Sequence, residues 1–305
     1  MSQTIQIVTH NGVFHADDVA AVATLENFIT KMGNHPLLSR TRDESEITSA
    51  RYVVDVGAVY SPEAGRFDHH QPGGAGIVRS NGLPYSSFGL VWKEFGFMVC
   101  GRQDVADEIE RRLVIPIDAA DCGMKLYEGG RPVVEGIEGY SLSQVISSFN
   151  PRGNDSDEKD FDGDFRHALR FFGQLLLREI EQATAKLDNQ AAVLKAVIDA
   201  PDRRLIELAH GGPGWQDVVC LHHEPLYIVF PAETGDTWMV QCVPPAPGSF
   251  DKRKPLPRAW TGLRGGELAA VTDVQDAVFC HNGLFICGAR SREGALRLAR
   301  MAIEA

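Results

Sequence analysis

The first third of the chain alternates short apolar runs with an amphipathic segment. Apolar runs at residues 5–9, 37–41 and 52–57 predict three strands. A helix is predicted after the first run, beginning at Asp17 and Asp18, because acidic side chains suit the positive end of the helix dipole. The third run is almost continuously apolar, as is typical of a parallel strand buried on both faces. The succession of strand, helix and strand therefore predicts a parallel βαβ sheet.

The middle of the chain has mainly helical periodicity. Residues 85–97 and 104–113 predict helices, and residues 161–198 carry apolar positions at three- and four-residue steps that predict one or two long helices. Pro116 leaves open whether Asp118 and Asp121 lie on a helix; if they do, their spacing places both carboxylates on one face. The glycine- and proline-rich segment 71–84 predicts a loop and a candidate lid.

Beyond residue 195 the pattern changes to strands separated by turns. Strands are predicted at 204–208, 226–230, 238–243, 276–281 and 284–287, and a closing helix at 292–303. Asn282-Gly283 predicts a type I′ turn between the last two strands. We therefore predict an α/β domain with a parallel sheet flanked by helices over residues 1–195, and a smaller C-terminal α+β domain over residues 196–305.

Composition narrows the class of protein. The hydrophobic fraction of 44% and charged fraction of 23% are ordinary for a globular chain, and no stretch approaches the ~20 apolar residues of a membrane span. Six cysteines without a Cys-x-x-Cys pair fit a reducing compartment, so we expect a cytoplasmic protein. The net charge of -11 argues against binding of nucleic acid by bulk positive charge. Bound metal ions in a local site would change that balance.

Imidazoles and carboxylates gather where the predicted strands end. His10 follows the first strand and Asp55 the third, and ligands of such sheets bind beyond the carboxyl ends of the strands. Each candidate ligand, taken alone, could instead be a surface histidine, a helix cap or part of a polar turn. Together they suit Mn²⁺, Zn²⁺ or Fe²⁺. The further candidates are His15 and Asp17, the run Asp68-His69-His70, and the pair Asp118 and Asp121.

These residues take different roles in a metal-centred reaction. We expect His69 to be a metal ligand, Asp68 to hold an imidazole by a hydrogen bond, and His70 to contact the phosphate or assist proton transfer. Asp121 is the expected last ligand, which Asp118 supports or replaces.

The C-terminal domain carries candidate contacts for a polyanion. One basic group lies near Trp260, whose ring is expected to be available for base stacking. For any single residue a solvated surface position is the more ordinary alternative. The candidate substrate-binding residues are Lys252, Lys254, Arg264, His281, Arg290 and Arg292.

Several of these segments resemble one family. Residues 9–18, 53–57, 66–71 and 118–121 are similar to the Myg family, which is related to the DHH phosphoesterase superfamily named for the Asp68-His69-His70 motif. The likeness returns at residues 149–151 and in several segments after residue 238, and so covers nearly the whole chain. It implies a DHH-type α/β domain, a divalent-metal centre, a smaller C-terminal substrate domain and 3′–5′ exonuclease action on RNA.

One motif departs from the wider superfamily. The usual order is His-x-x-x-Asp-x-Asp, whereas this chain has His10, His15 and Asp17, one residue longer and with His where Asp is usual. The metal is therefore open: Mn²⁺ is expected first, with Mg²⁺ or Zn²⁺ as alternatives, and with one ion or two.

The expected protein is a metal-dependent phosphodiesterase that cleaves RNA or short oligonucleotides with a metal-activated water. The expected metal ligands are His10, His15, Asp17, Asp55, His69 and Asp121. The alternatives are hydrolysis of a small phosphate compound such as pyrophosphate or a cyclic dinucleotide, and non-catalytic RNA binding with a structural metal. The expected partner is the nucleic-acid substrate, and no association with a membrane is expected. Whether the protein forms a homodimer stays open.

Overall fold

The computed structural model describes residues 2–126, 139–151 and 159–305. The chain divides into two compact units, Met1–Ala183 and Thr184–Ala305. The sequence predicts a division between residues 195 and 196. This predicted division and the observed one between residues 183 and 184 both lie within one long helix, Phe161–Asp199. Among the described helices, none is long and apolar enough to cross a membrane.

A five-stranded sheet organises the first unit, with the strands in the order β2-β1-β3-β5-β4. The strands are β1 (Thr4–Thr9), β2 (His35–Arg40), β3 (Tyr52–Val54), β4 (Tyr60–Ser61) and β5 (Arg66–Phe67). β1 is parallel to β2 and β3, β3 is parallel to β5, and β4 is antiparallel to β5. The predicted α/β class and its parallel sheet are confirmed. The sequence does not predict β4 and β5, because each has two residues beside a glycine-containing turn.

Helices cover both faces of this sheet. They are α1 (Ala16–Lys31), α2 (Glu44–Ser49), α3 (Ser87–Cys100), α4 (Gln103–Ile109), α5 (Ile115–Asp121), α6 (Leu142–Ser147) and α7 (Phe161–Asp199). α1 packs against α3 and β1, and most of its first three turns is buried. On another part of the sheet Val8 and Val53 pack against Ile47 of α2. All three residues of β3 are buried, which explains its almost continuous apolar run.

A π-helical turn, Glu110–Val114, joins α4 to α5. Pro116 lies in the first turn of α5. Proline has no backbone N–H, and a locally widened turn tolerates the missing hydrogen bond. Asp118 and Asp121 therefore both lie on a helix, which Pro116 leaves undecided in the sequence.

The second unit contains a mixed sheet in the order β6-β7-β8-β10-β9. Its strands are β6 (Leu205–Glu207), β7 (Tyr227–Pro231), β8 (Trp238–Cys242), β9 (Ala277–Cys280) and β10 (Ile286–Ala289). Its helices are α8 (Trp215–Val219), a 3₁₀ turn at Arg258–Trp260, α9 (Gly265–Thr272) and α10 (Arg292–Glu304). The core joins residues of α10, such as Leu298 and Ala302, with Tyr227 and Val240 of the sheet.

The hairpin between β9 and β10 is confirmed, but the predicted type I′ turn is wrong. Leu284, rather than Asn282 or Gly283, has a positive φ of 54°, and its N–H donates to the His281 carbonyl at 2.9 Å. The Leu284 carbonyl accepts a hydrogen bond from the Leu256 N–H at 3.0 Å. This tertiary contact, which the local sequence does not show, favours the longer connection.

Candidate metal centre

Three loops meet at the carboxyl edge of the first sheet. β1, β3 and β5 are parallel neighbours, and they are followed by His10, by Asp55, and by the run Asp68–His70 respectively. The chain continues from β1 through α1 to β2 on one side, while β3 lies on the other side of β1. The gap between β1 and β3 is therefore a topological switch point, where such sheets bind ligands.

Asp55 lies at the centre of the arrangement. Its backbone has a left-handed φ of 57°, a strained conformation that aspartate tolerates better than most residues and that often occurs at functional sites. Its Oδ2 lies 3.3 Å from His10 Nε2, and its Oδ1 lies 3.4 Å from His69 Nε2. The same Oδ1 accepts a hydrogen bond from Ser87 Oγ at 2.8 Å and lies 3.4 Å from His70 Nδ1. One buried carboxylate thus contacts three imidazoles.

The first turn of α1 contributes two buried aspartates. Asp18 Oδ1 accepts hydrogen bonds from the backbone N–H groups of His15 and Val19, at 3.0 and 2.7 Å. Its Oδ2 lies 3.1 Å from His10 Nε2. In the sequence Asp18 reads only as the start of the helix, and its contact with His10 is not predicted. The adjacent acids Asp17 and Asp18 are the signal that could have indicated this contact. Neighbouring positions of a helix face different directions, so the two carboxylates can have different partners.

Asp17 is fully buried, and neither of its carboxylate oxygens has a hydrogen-bond partner within the described residues. Its Oδ2 lies 3.7 Å from His69 Nε2. Burial, followed by the negative charges of Asp55 and Asp121, raises the pKa of Asp17 well above its ordinary value. Such an unpartnered, buried carboxylate is unfavourable unless a cation lies against it.

The two aspartates of α5 have separate surroundings. Asp121 Oδ2 lies 3.2 Å from His69 Nε2. Asp118 instead accepts hydrogen bonds from Arg79 Nη2 and Ser86 Oγ, both at 2.6 Å, and from the Gly89 N–H at 3.0 Å. Burial raises the pKa of Asp118 to about 6, against the opposing effect of Arg79. The structure therefore brings Asp121, and not Asp118, to the imidazoles.

Asp68 and His70 form a pair at the mouth of the centre. Asp68 is buried, and its Oδ1 lies 2.9 Å from both the backbone N and the Nδ1 of His70. Its Oδ2 accepts a hydrogen bond from the Ala58 N–H at 2.6 Å. The His70 ring is mostly exposed, whereas that of His69 is mostly buried. Asp68 is thus placed to orient His70 from behind.

Among the described residues, four overlapping groups of side chains could hold a metal ion, and within each group the donor atoms lie within 4.8 Å of one another. They are His10, Asp18 and Asp55; Asp55, His69 and His70; His15, Asp17 and Asp121; and His69, Asp121 and Cys122. Shared members link the groups into one cluster. Mixed imidazole and carboxylate donors, together with the unpartnered Asp17 oxygens, fit a divalent cation.

The electrostatics of the cluster also favour a bound cation. Burial alone would lower the pKa of His10, but contacts with Asp18 and Asp55 raise it to about 10. In the same way Asp121 and Asp55 outweigh burial and raise the pKa of His69 to about 12. Carboxylates thus dominate the site, and a divalent ion would neutralise part of their charge.

The loop 71–84 is anchored through Arg79, which the sequence does not mark as a functional residue. Arg79 is 7% exposed, and it contacts Asp118, Glu110 Oε1 at 2.8 Å and the Pro84 carbonyl at 2.8 Å. Its guanidinium also lies 3.9 Å from the Tyr85 ring centroid. A single arginine in a glycine-rich loop is a weak signal, because its partners are distant in the sequence.

The candidate substrate-binding residues of the second unit have mixed surroundings. Arg264, His281 and Arg290 are exposed. Lys252 is half-buried. Lys254 Nζ donates to the Ile303 carbonyl at 2.7 Å, and Arg292 pairs with Glu207.

The expected stacking role of Trp260 is wrong, because this side chain is 3% exposed and belongs to the core of the second unit. A tryptophan within a basic segment looks accessible in the sequence, but the 3₁₀ turn at Arg258–Trp260 directs it inward.

Comparison with known proteins gives the family. The MYG1 exonuclease family model, described as Uncharacterised protein family (UPF0160), matches residues 6–303. The chain is 31% identical over 330 residues to the MYG1 exonuclease of Homo sapiens, covering 97% of this chain and 85% of the relative. It is 32% identical over 308 residues to a MYG1 protein of Chlamydia pneumoniae, covering 98% and 96% of the two chains.

Two solved structures also match at low scores. RecJ in complex with Mn²⁺ from Thermus thermophilus has a TM-score of 0.28 and 14% identity, over 98% of this chain and 52% of that chain. An exopolyphosphatase-related protein from Bacteroides fragilis has a TM-score of 0.24 and 12% identity, over 99% and 92%. Scores this low do not establish a shared fold, so the assignment rests on the sequence matches. The chain therefore belongs to the MYG1 exonuclease family of hydrolytic phosphoesterases.

Proposed function

We propose that this protein is a divalent-metal-dependent 3′–5′ exonuclease that acts on RNA or short oligonucleotides. One observation carries the proposal: the buried Asp17 carboxylate, without a hydrogen-bond partner within the described residues, lies among Asp55, Asp121 and His69. A cation is the partner that would make this arrangement favourable.

The ligands follow from the overlapping groups. His10, His15, Asp17, Asp55, His69 and Asp121 would hold the metal, and we add Asp18 to the candidates because its Oδ2 lies beside His10. A divalent ion in this position supplies a Lewis acid that activates water and stabilises charge on phosphate oxygens. Asp55, which contacts imidazoles with both oxygens, would be a central member of this ligand set.

The chain's own proton chemistry centres on His70. Its Nδ1 lies 2.9 Å from Asp68 Oδ1, so this nitrogen is fixed while most of the ring is exposed. A histidine oriented in this way can contact the phosphate and exchange a proton with the leaving oxygen. Asp68 acts through His70 as a positioning residue.

The support for the substrate and for the direction of cleavage comes from the relatives. The mouse and human relatives are named exonucleases, which favours a nucleic-acid substrate. The preference for RNA and the 3′–5′ direction follow from the resemblance to the Myg family.

The test is to replace Asp55 with Asn, which tolerates the left-handed backbone at this position. We expect the rate of RNA cleavage with Mn²⁺ or Mg²⁺ to fall by more than about 100-fold, since residues that only orient metal ligands already contribute about 10–100-fold. The rates are measured on 5′-labelled RNA, whose products should form a ladder that shortens from the 3′ end. Asp43→Asn is the matched control, because Asp43 is an exposed helix cap and Asn caps equally well.

Different outcomes contradict different parts of the proposal. Undiminished cleavage by Asp55→Asn would contradict the metal centre. Direct release of the labelled 5′ nucleotide, without a ladder, would contradict the direction. Hydrolysis confined to pyrophosphate or cyclic dinucleotides would replace the substrate class, and RNA binding without product under any metal would contradict catalysis.

A further inference from the structure

We propose that a small cavity beside the metal centre binds the nucleoside, sugar and base together, of the nucleotide whose phosphate lies at the centre. The inference rests on the proposed function. The cavity has a volume of about 230 Å³ and lies among α1, α5 and α6. Its walls include Ala16, Asp17, Ile117, Asp121, Ser143 and Ser147.

The cavity is continuous with the candidate metal centre. His15, Asp17 and Asp121 line it, and the same three side chains form one of the groups able to hold a metal ion. The unpartnered Asp17 oxygens lie at this junction. The sugar attached to a phosphate at the centre would therefore lie at the entrance of the cavity.

The walls match a ligand with one apolar face and one polar edge. Ala16, Ile117 and Ala120 provide apolar surface. Ser143 and Ser147 lie one helical turn apart on α6, so both hydroxyls are on the same face. Within the part of the chain that the structure describes, neither hydroxyl forms a hydrogen bond. A nucleoside has this combination, with apolar ring surface and the hydroxyl groups of its sugar.

The size of the cavity limits the ligand to one unit. Pockets for drug-sized ligands commonly measure ~300–1,000 Å³. A cavity of about 230 Å³ is smaller, so it suits a single nucleoside rather than a longer stretch of strand. Such a subsite fits an enzyme that removes terminal nucleotides one at a time.

The test compares binding of a nucleoside 5′-monophosphate with binding of inorganic phosphate to the Mn²⁺-loaded protein, by titration calorimetry. The wild-type protein should bind the nucleotide more tightly. Ser147→Ala should reduce this preference about threefold to tenfold, as expected for one lost hydrogen bond. Ser147→Phe, which fills the cavity, should abolish it.

Ser148 provides the matched control, because its hydroxyl donates to the Val145 carbonyl at 2.7 Å and it does not line the cavity. Ser148→Ala and Ser148→Phe should keep the wild-type preference. Folding of the Ser147→Phe variant is checked by its melting temperature. If this variant does not fold, the binding preference of Ser147→Ala still tests the subsite.

The subsite is overturned if the wild-type protein binds nucleotide no more tightly than phosphate, or if both Ser147 variants keep the preference. RNA cleavage is measured separately. Cleavage without a binding preference refutes the subsite alone. A preference without cleavage refutes the exonuclease proposal alone.

Discussion

Two fully buried aspartates of the first unit have opposite surroundings. Asp118 accepts hydrogen bonds from Arg79, Ser86 and the Gly89 backbone. Asp17 has no hydrogen-bond partner within the described residues and lies near other carboxylates. Burial alone therefore does not separate a structural carboxylate from a functional one. What differs between these two residues is the set of donors: Asp118 has three from the protein, and Asp17 has none within the described residues.

The same contrast divides α5. Asp118 and Asp121 are three residues apart, yet Asp118 connects α5 to the beginning of α3 and to the loop 71–84, while Asp121 contacts His69. Asp118 thus holds the helix that carries a proposed metal ligand. We infer that its effect on activity is indirect.

The largest expected effect comes from breaking the Asp118 cluster with Arg79→Met. Removing one partner of a buried ion pair leaves the other charge uncompensated, so the free energy of unfolding should fall by about 3–5 kcal/mol. Denaturant unfolding measures the change. The matched control is Arg111→Met, because Arg111 forms an exposed pair with Glu108 and exposed pairs contribute little. Equal stability of the two variants would contradict a structural role for the cluster.

The surroundings of Asp118 and Asp17 also show how much of the site can be predicted from the sequence. Residues that end apolar runs, such as His10 and Asp55, are placed correctly at the sheet edge, because strand periodicity is local and parallel strands share an edge. The Arg79–Asp118 pair joins residues 39 positions apart, and no local pattern indicates it.

The missed features share this dependence on distant contacts. Asp18 satisfies the local pattern of a helix start, and only the folded position of His10 shows its second contact. Trp260 is buried by residues of the second unit's core, and Leu284 adopts its conformation where the Leu256 N–H donates to its carbonyl. Composition and periodicity describe each segment but not its neighbours.

The pH dependence of stability also distinguishes Asp118 from an ordinary surface carboxylate. Its folded pKa of about 6 exceeds the value near 3.9 expected in the unfolded chain. Between these values the folded protein binds more protons, so Asp118 makes stability fall as pH rises from 4 to 6. The free energy of unfolding of the metal-free wild type, relative to Asp118→Asn, should fall by about 3 kcal/mol between pH 3 and 8.

Asp43→Asn is the control of opposite sign. Hydrogen bonds from the Ser45 side chain, then from the Glu46 and Ser45 backbone, lower the pKa of Asp43. The wild type should therefore gain stability relative to this variant as pH rises. If the wild type also gained stability relative to Asp118→Asn, Arg79 would outweigh burial at Asp118.

The smallest expected effect concerns Asp17, and it is measured by adding metal at neutral pH. Mn²⁺ at a free concentration of 100 times its Kd should raise the free energy of unfolding of the wild type by about 2.7 kcal/mol, because it binds the folded state. Asp17→Asn should lose most of this gain, since the amide cannot replace a charged ligand. Asp118→Asn should keep the gain despite a different starting stability, because Asp118 has its partners within the protein. Denaturant unfolding with Mn²⁺ and with chelator measures both variants. A gain kept by Asp17→Asn and lost by Asp118→Asn would reverse the roles assigned to the two carboxylates.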